Sequence, residues 1–143
     1  MELRPFIRRN FPPSFEKPRH EMSDLDNLAH DFSSLIRSGQ AVLAAEKYWA
    51  TDIVSIEPEH SAEHTLSLAS GYDAAYGKLT NWLNHSAMEE LCIDGPFVTG
   101  NRFALFIDML IKRRATGRRQ PFSEIAIYTV RDGKIVEERY FYD

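Results

Sequence analysis

Four side chains in this sequence stand where acid–base chemistry could be done: Glu57, Glu124, Tyr128 and His85. Glu57 directly precedes Pro58 and closes a short run rich in β-branched residues, Asp52–Glu57, which reads as a strand that the proline breaks. Glu124 and Tyr128 fall on a second such run, Phe122–Arg131. Alternate side chains of a strand share a face, so Phe122, Glu124, Ala126, Tyr128 and Val130 lie together and Ser123, Ile125, Ile127 and Thr129 lie opposite. A carboxylate moved into apolar surroundings holds its proton more tightly and can exchange it near neutral pH. A tyrosine beside it can donate a hydrogen bond to an oxygen that gains charge. Lys78, Trp82, His85 and Glu89 form one helical stripe at spacings of four, three and four. Trp82 would be a flat wall for a ring and His85 an acid or base, or else an ordinary core residue and an exposed helix-end residue.

Further candidates are less determined. Tyr48 and Trp49 end a helical stretch and could line the same cavity. Asp108 is the one acid among Phe106, Ile107, Met109 and Leu110, and a charge in an apolar strand needs a partner or a function. It shares a face with Phe106, and that face either lines a pocket or carries an acid–arginine pair on the outside of the sheet. In the last strand Glu138, Tyr140 and Tyr142 point one way, and Glu137, Arg139 and Phe141 the other. Nothing in the sequence says which set faces inward.

Other chemistries lack their context. His60 to His64 matches an H-x-x-E-H zinc pattern but follows Pro58 in an apparent loop, whereas such ligands need a helix. Cys92 sits in a strand-like stretch where a buried, inert thiol is expected. Neither a nucleophile elbow nor a glycine-rich phosphate loop is present, and no cofactor or metal is expected.

The elements that must position these residues follow from periodicity. Residues 1–22, with Pro5, Pro12, Pro13 and Pro18, read as an extended or disordered arm. Ser23 and Asp26 make a capping box before Leu25, Leu28, Phe32, Leu35 and Ile36, and Gly39 stops that helix. A second helix is predicted over about 40–50, a loop over 58–70 and a third helix over about 72–88. Long strands over 90–99, 102–114, 122–131 and 134–142 make a meander, with Asp132-Gly133 as a hairpin turn. Helices followed by a meander give an α+β fold in one domain over 23–143.

Composition narrows the partners. Among 143 residues, 43% are hydrophobic and seventeen are aromatic, enough for a roomy core. The net charge is −4, and because residues 1–20 carry a net +3 the body is acidic, which argues against nucleic-acid binding. No run is long enough to cross a membrane, and one cysteine fits a reducing, cytoplasmic setting.

The order of these segments and the wording of YWATDIVSIEP, GPFVTGNRFAL and VRDGKIVEERYFYD resemble nuclear transport factor 2-like proteins, and among them SnoaL-like polyketide cyclases and ketosteroid isomerases. The resemblance covers roughly residues 24–143. It implies a cone-shaped fold, three N-terminal helices packed on a curved, mostly antiparallel sheet, with an apolar pocket for a small cyclic or apolar molecule and a homodimer through the outer sheet face. It also implies a carboxylate at the Glu57 position and another at the Ala126 position, which marks the face bearing Ala126, Glu124 and Tyr128 as the pocket face. Two positions depart from the isomerase pattern: Phe32 stands where an oxyanion-stabilising tyrosine is expected, and Ala126 where a second acid is. Two functional readings follow. One is a cofactor-free isomerase, cyclase or dehydratase acting on a small apolar carbonyl or cyclic substrate, with Glu57 or Glu124 as base and Tyr128, His85 or Tyr48 as donor. The alternative is a non-catalytic ligand-binding or dimerisation module of the same fold.

Overall fold

The computed structural model describes residues 23–59 and 67–143; the N-terminal arm and the histidines of the zinc-like pattern lie outside the described residues. The chain runs α1 (Asp24–Arg37), α2 (Ala41–Tyr48), β1 (Trp49–Ile56), β2 (Leu68–Ser70), α3 (Tyr72–His85), β3 (Ser86–Thr99), β4 (Arg102–Arg113), β5 (Arg119–Arg131) and β6 (Lys134–Phe141). The strands form one six-stranded sheet in the order β2-β1-β6-β5-β4-β3. All neighbours are antiparallel except β1 and β6, which run parallel. The fold is α+β, three helices on a mixed, mostly antiparallel sheet.

Local chemistry sets the elements. The Ser23 hydroxyl accepts from the Asp26 backbone N–H, and the Asp26 carboxylate accepts from the Ser23 N–H, so two otherwise unpaired donors of α1 are satisfied. α1 then buries Leu28, Ala29, Phe32 and Ser33. Arg37, in its last turn, donates to the Gly95 carbonyl at 2.8 Å and ties the helix to β3. At Gly95 (φ +116°) a Cβ would come within 2.9 Å of the Ala104 carbonyl oxygen, so β3 and β4 approach there only because glycine is present. Asp132 (φ 51°) and Gly133 (φ 73°) both take the left-handed conformation that a tight two-residue hairpin requires.

The inner face of the sheet is marked by alternation. On β4 Phe103, Leu105, Ile107, Met109 and Ile111 are buried, whereas Phe106 is exposed. Phe103 stacks on Tyr128 of β5 (centroids 4.7 Å apart), and Phe32 of α1 meets Tyr128 edge-on at 4.9 Å. These three rings join the first helix to the middle of the sheet.

Several boundaries differ from the sequence reading, and β1 and β5 each begin three residues earlier than expected, at Trp49 and Arg119. α3 ends at His85 and not near Met88, because Ala87 and Met88 pair with Lys112 and Ile111 across β3 and β4. Pairing with a long neighbouring strand outweighs a weak helical preference. Residues 68–70, expected as loop, form β2 against β1, with Ala69 buried. Cys92 is a further correction. It faces outward and is exposed, since it sits opposite Asp108 on the outer side of the sheet.

Candidate functional site

Between the helices and the inner sheet face lies a cavity of about 460 Å³, a size typical of small-molecule sites. Its apolar lining includes Phe32 and Ile36 from α1, Ala41 and Ala45 from α2, and Leu79 and Trp82 from α3. Trp49 of β1, Met88, Ile107, Met109 and Phe122 complete the apolar wall from the sheet.

The polar groups gather on one part of the lining. Glu57 follows β1 on the same face as the buried Ile53 and Ser55, as the two-residue period requires. One of its carboxylate oxygens takes the Lys78 ammonium at 3.0 Å, and the other accepts from the Tyr142 hydroxyl at 2.8 Å. The Glu57 and Lys78 side chains are 12% and 11% exposed, so this pair is shielded from bulk water. The Lys78 ammonium also lies 5.7 Å from the centroid of the Tyr140 ring, within cation–π range. Tyr142 is held edge-on by Phe122.

Glu124 of β5 lines the same cavity. Glu124 is half-buried and also borders an open hollow with Pro58, Ser123, Ile125 and Phe141; its burial disfavours the charged form. That burial, then repulsion from Glu57 and from Glu138, pushes the Glu124 carboxyl from its ordinary 4.5 to about 8, although Lys78 pulls the other way. Among the described residues Glu124 makes no ion pair. Glu138 of β6 is 3% exposed and accepts a 2.6 Å hydrogen bond from the Ser55 hydroxyl. Burial raises its proton affinity too, against the lowering by Ser55, Lys78 and Tyr140. The hydroxyls of Tyr128 and Tyr140 are pushed up by burial and by the neighbouring glutamates, so both stay protonated and remain donors.

The sequence-derived candidates divide as follows. Glu57, Glu124, Tyr128, Phe32, Trp49, Trp82 and Tyr140 come together around the cavity, and Ala126 is fully buried on the same side of β5. His85 does not join them. It is exposed in the last turn of α3, its Nδ1 2.8 Å from the Asn81 carbonyl oxygen, because the helix ends there and the stripe is not continued. Tyr48 is turned away, donating to Asp31 on α1. Phe106 and Asp108 lie on the outer face, where Asp108 accepts from the Ser123 hydroxyl; of the two readings left open for Asp108, the outward one holds, with a serine in place of an arginine as partner. Glu89 pairs with Arg119 at 2.7 Å outside the cavity.

Glu138 was missed as a site residue, and so was the Lys78–Glu57 pair. The only sequence signal for Lys78 was its place four residues before Trp82. Among the described residues no group of three or more His, Cys, Asp or Glu is arranged to hold a metal ion.

The SnoaL-like domain matches this chain over residues 24–142. The protein belongs to the SnoaL-like domain family. Its fold is that of the nuclear transport factor 2-like superfamily. A Mesorhizobium loti protein, provisionally assigned as a SnoaL-like polyketide cyclase and, in the same description, a carbohydrate phosphatase, is 36% identical, with a TM-score of 0.75 over 85% of this chain and 100% of its own. A nuclear transport factor 2-like protein of unknown function from Burkholderia pseudomallei shares the fold at 15% identity (TM-score 0.72, 85% and 92% coverage). So does TerC, solved with polyporic acid, at 15% identity (TM-score 0.69, 85% and 92% coverage). No curated protein matches the sequence. No helix of this SnoaL-like chain, among the described residues, is long and apolar enough to cross a membrane.

Proposed function

We propose that this SnoaL-like protein binds a small cyclic or aromatic carbonyl compound and moves a proton on it without a cofactor, as an isomerase, cyclase or dehydratase does. The observation that carries this reading is Glu124, a carboxyl inside an aromatic cavity whose proton affinity is raised to about 8. A base with that affinity is half ionised at about pH 8, holds its proton mostly at pH 7, and is far stronger than an exposed glutamate. In the reading, ionised Glu124 takes a proton from carbon next to the carbonyl and returns it elsewhere on the substrate. Tyr128 and Tyr140, both protonated, donate to the oxygen as it gains charge, and the Lys78 ammonium favours the same charge. These donors take the place of the hydroxyl that Phe32 lacks and the acid that Ala126 lacks. Glu57, tied to Lys78 and Tyr142, sets the field around Glu124 and does not act as the base. The solved complex of TerC with polyporic acid and the cyclase assignment of the Mesorhizobium loti protein support a cyclic ligand.

The test needs no knowledge of the natural substrate. Cyclic and aryl ketones incubated with the protein in deuterated buffer would exchange their α-hydrogens, read by NMR. Exchange is expected to rise with pH through about 8 and to fall at least 100-fold in Glu124→Gln, the usual scale of a lost acid–base group. Exchange that is unaffected by this change would leave the chain as a ligand-binding module of the same fold.

A further inference from the structure

Carboxyl groups outnumber cations around the cavity. Glu57 from β1, Glu124 from β5, Glu138 from β6 and Asp143 beyond β6 face it, against Lys78 from α3 and Arg113 from β4. Both cations are engaged: Lys78 is on Glu57 at 3.0 Å, and Arg113 donates to the Ser86 hydroxyl at 2.9 Å. Glu138 is hydrogen-bonded by the Ser55 hydroxyl and by Tyr140, and neither Glu138 nor Glu124 has an ion-pair partner among the described residues. The protein supplies its own illustration of what these walls accept, since the Lys78 ammonium rests between the Glu57 carboxylate and the Tyr140 ring.

We propose that the ligand carries a basic nitrogen and binds as a cation beside Glu124, against the aromatic wall formed with Tyr128 and Tyr140. The inference rests on the cavity being the ligand site, and it specifies the class: a cyclic amino-ketone, bound in preference to a neutral ketone and to a carboxylic acid. An anion entering here meets three glutamate side chains, with both cations already held.

The charge also bears on the chemistry. In the free protein Glu124 keeps its proton at pH 7, since its affinity stands at about 8. An ammonium group bound beside it lowers that affinity, so the carboxyl releases its proton as the ligand arrives. The O–H bond of Glu124 breaks, the proton goes to solvent, and a carboxylate is left facing the ligand cation. Substrate binding would thus create the ionised base that the proposed reaction uses. The tyrosines stay protonated throughout, and Glu138 remains bonded to Ser55.

Three bicyclic probes of nearly equal shape separate the possibilities: 1-naphthylmethylamine, 1-naphthalenemethanol and 1-naphthoate. Isothermal titration at pH 7 in two buffers of different ionisation enthalpy reads both affinity and protons exchanged. The amine is expected to bind about tenfold more tightly than the alcohol, the gain at pH 7 when the bound cation moves the linked carboxyl down by about two pH units from about 8. Its binding should release close to one proton, and naphthoate should bind weakest. In Glu124→Gln the amine's advantage and the proton release should vanish while the alcohol binds as before; glutamine keeps the shape of the neutral carboxyl, so the fold is preserved. Equal binding of amine and alcohol, tighter binding of naphthoate, or amine binding without proton release would overturn the cationic ligand and leave the ketone-exchange reading standing. Failure of all three to bind to the folded protein would overturn the cavity as the site, and with it both readings.

Discussion

Glu124 matters because of what surrounds it. Burial raises its proton affinity most, two nearby glutamates add to this and one lysine opposes it, so part of the balance can be shifted one residue at a time. Replacing Glu57 by Gln removes a repelling charge and frees Lys78 from its partner, and both changes act in the same direction. The pH midpoint of α-hydrogen exchange is therefore expected to fall from about 8 towards 7 in Glu57→Gln. An unmoved midpoint would mean that Glu57 does not set the field at Glu124. At this scale the sequence was partly legible. Glu124 and Tyr128 were found because a strand's alternation leaves only two faces, one marked by the Ala126 position. His85 was misplaced because a helical stripe says nothing about where the helix stops. Lys78 carries no local sign of its partner, since Glu57 is twenty-one residues away across a connection that no local period describes.

At the scale of elements, the first strand, the four strands of the meander and the capped and glycine-stopped ends of α1 were readable, since caps, hairpin turns and alternation are local; the short β2 was not. The phase of β6 was not. Counting back from the Asp132-Gly133 turn pairs Arg131 with Lys134 and Val130 with Ile135, a register that would set Glu137 opposite Tyr128. A bulge between Thr129 and Val130 shifts it by one residue, so that Glu138 stands opposite Tyr128 and turns to the cavity with Tyr140. One extra residue reverses every side chain of a strand, and no residue type announces it here. The outer face of the same strands leaves Phe106, Ile125 and Phe141 exposed at 36%, 43% and 46%. We propose that a second copy covers this face, since exposed apolar patches of this kind mark association surfaces. Sedimentation velocity at micromolar concentration should give twice the chain mass, and Ile125→Asp should halve it; a wild-type monomer would contradict the proposal.

For the whole molecule, a buried carboxyl that prefers its proton makes stability depend on pH. Unfolded, Glu124 titrates at its ordinary 4.5; folded, at about 8. Between those values the folded chain holds a proton that the unfolded chain has released, so raising the pH favours unfolding. The contribution is complete below about 4.5 and is lost as the pH passes 8, and Glu138 acts in the same direction. Tm should fall by about 3 °C or more between pH 5 and pH 8.5, and by clearly less in Glu124→Gln. A Tm that rises over this range would mean that other groups dominate. The most direct test is the titration of Glu124 itself, followed through the side-chain carboxyl carbon of ¹³C-labelled glutamate, with Glu124→Gln assigning the signal. A midpoint near 8 is the expected result. A midpoint near 4.5 would contradict the account, because a carboxyl ionised and hydrated like any surface glutamate could be neither the tuned base nor the group that a bound cation deprotonates.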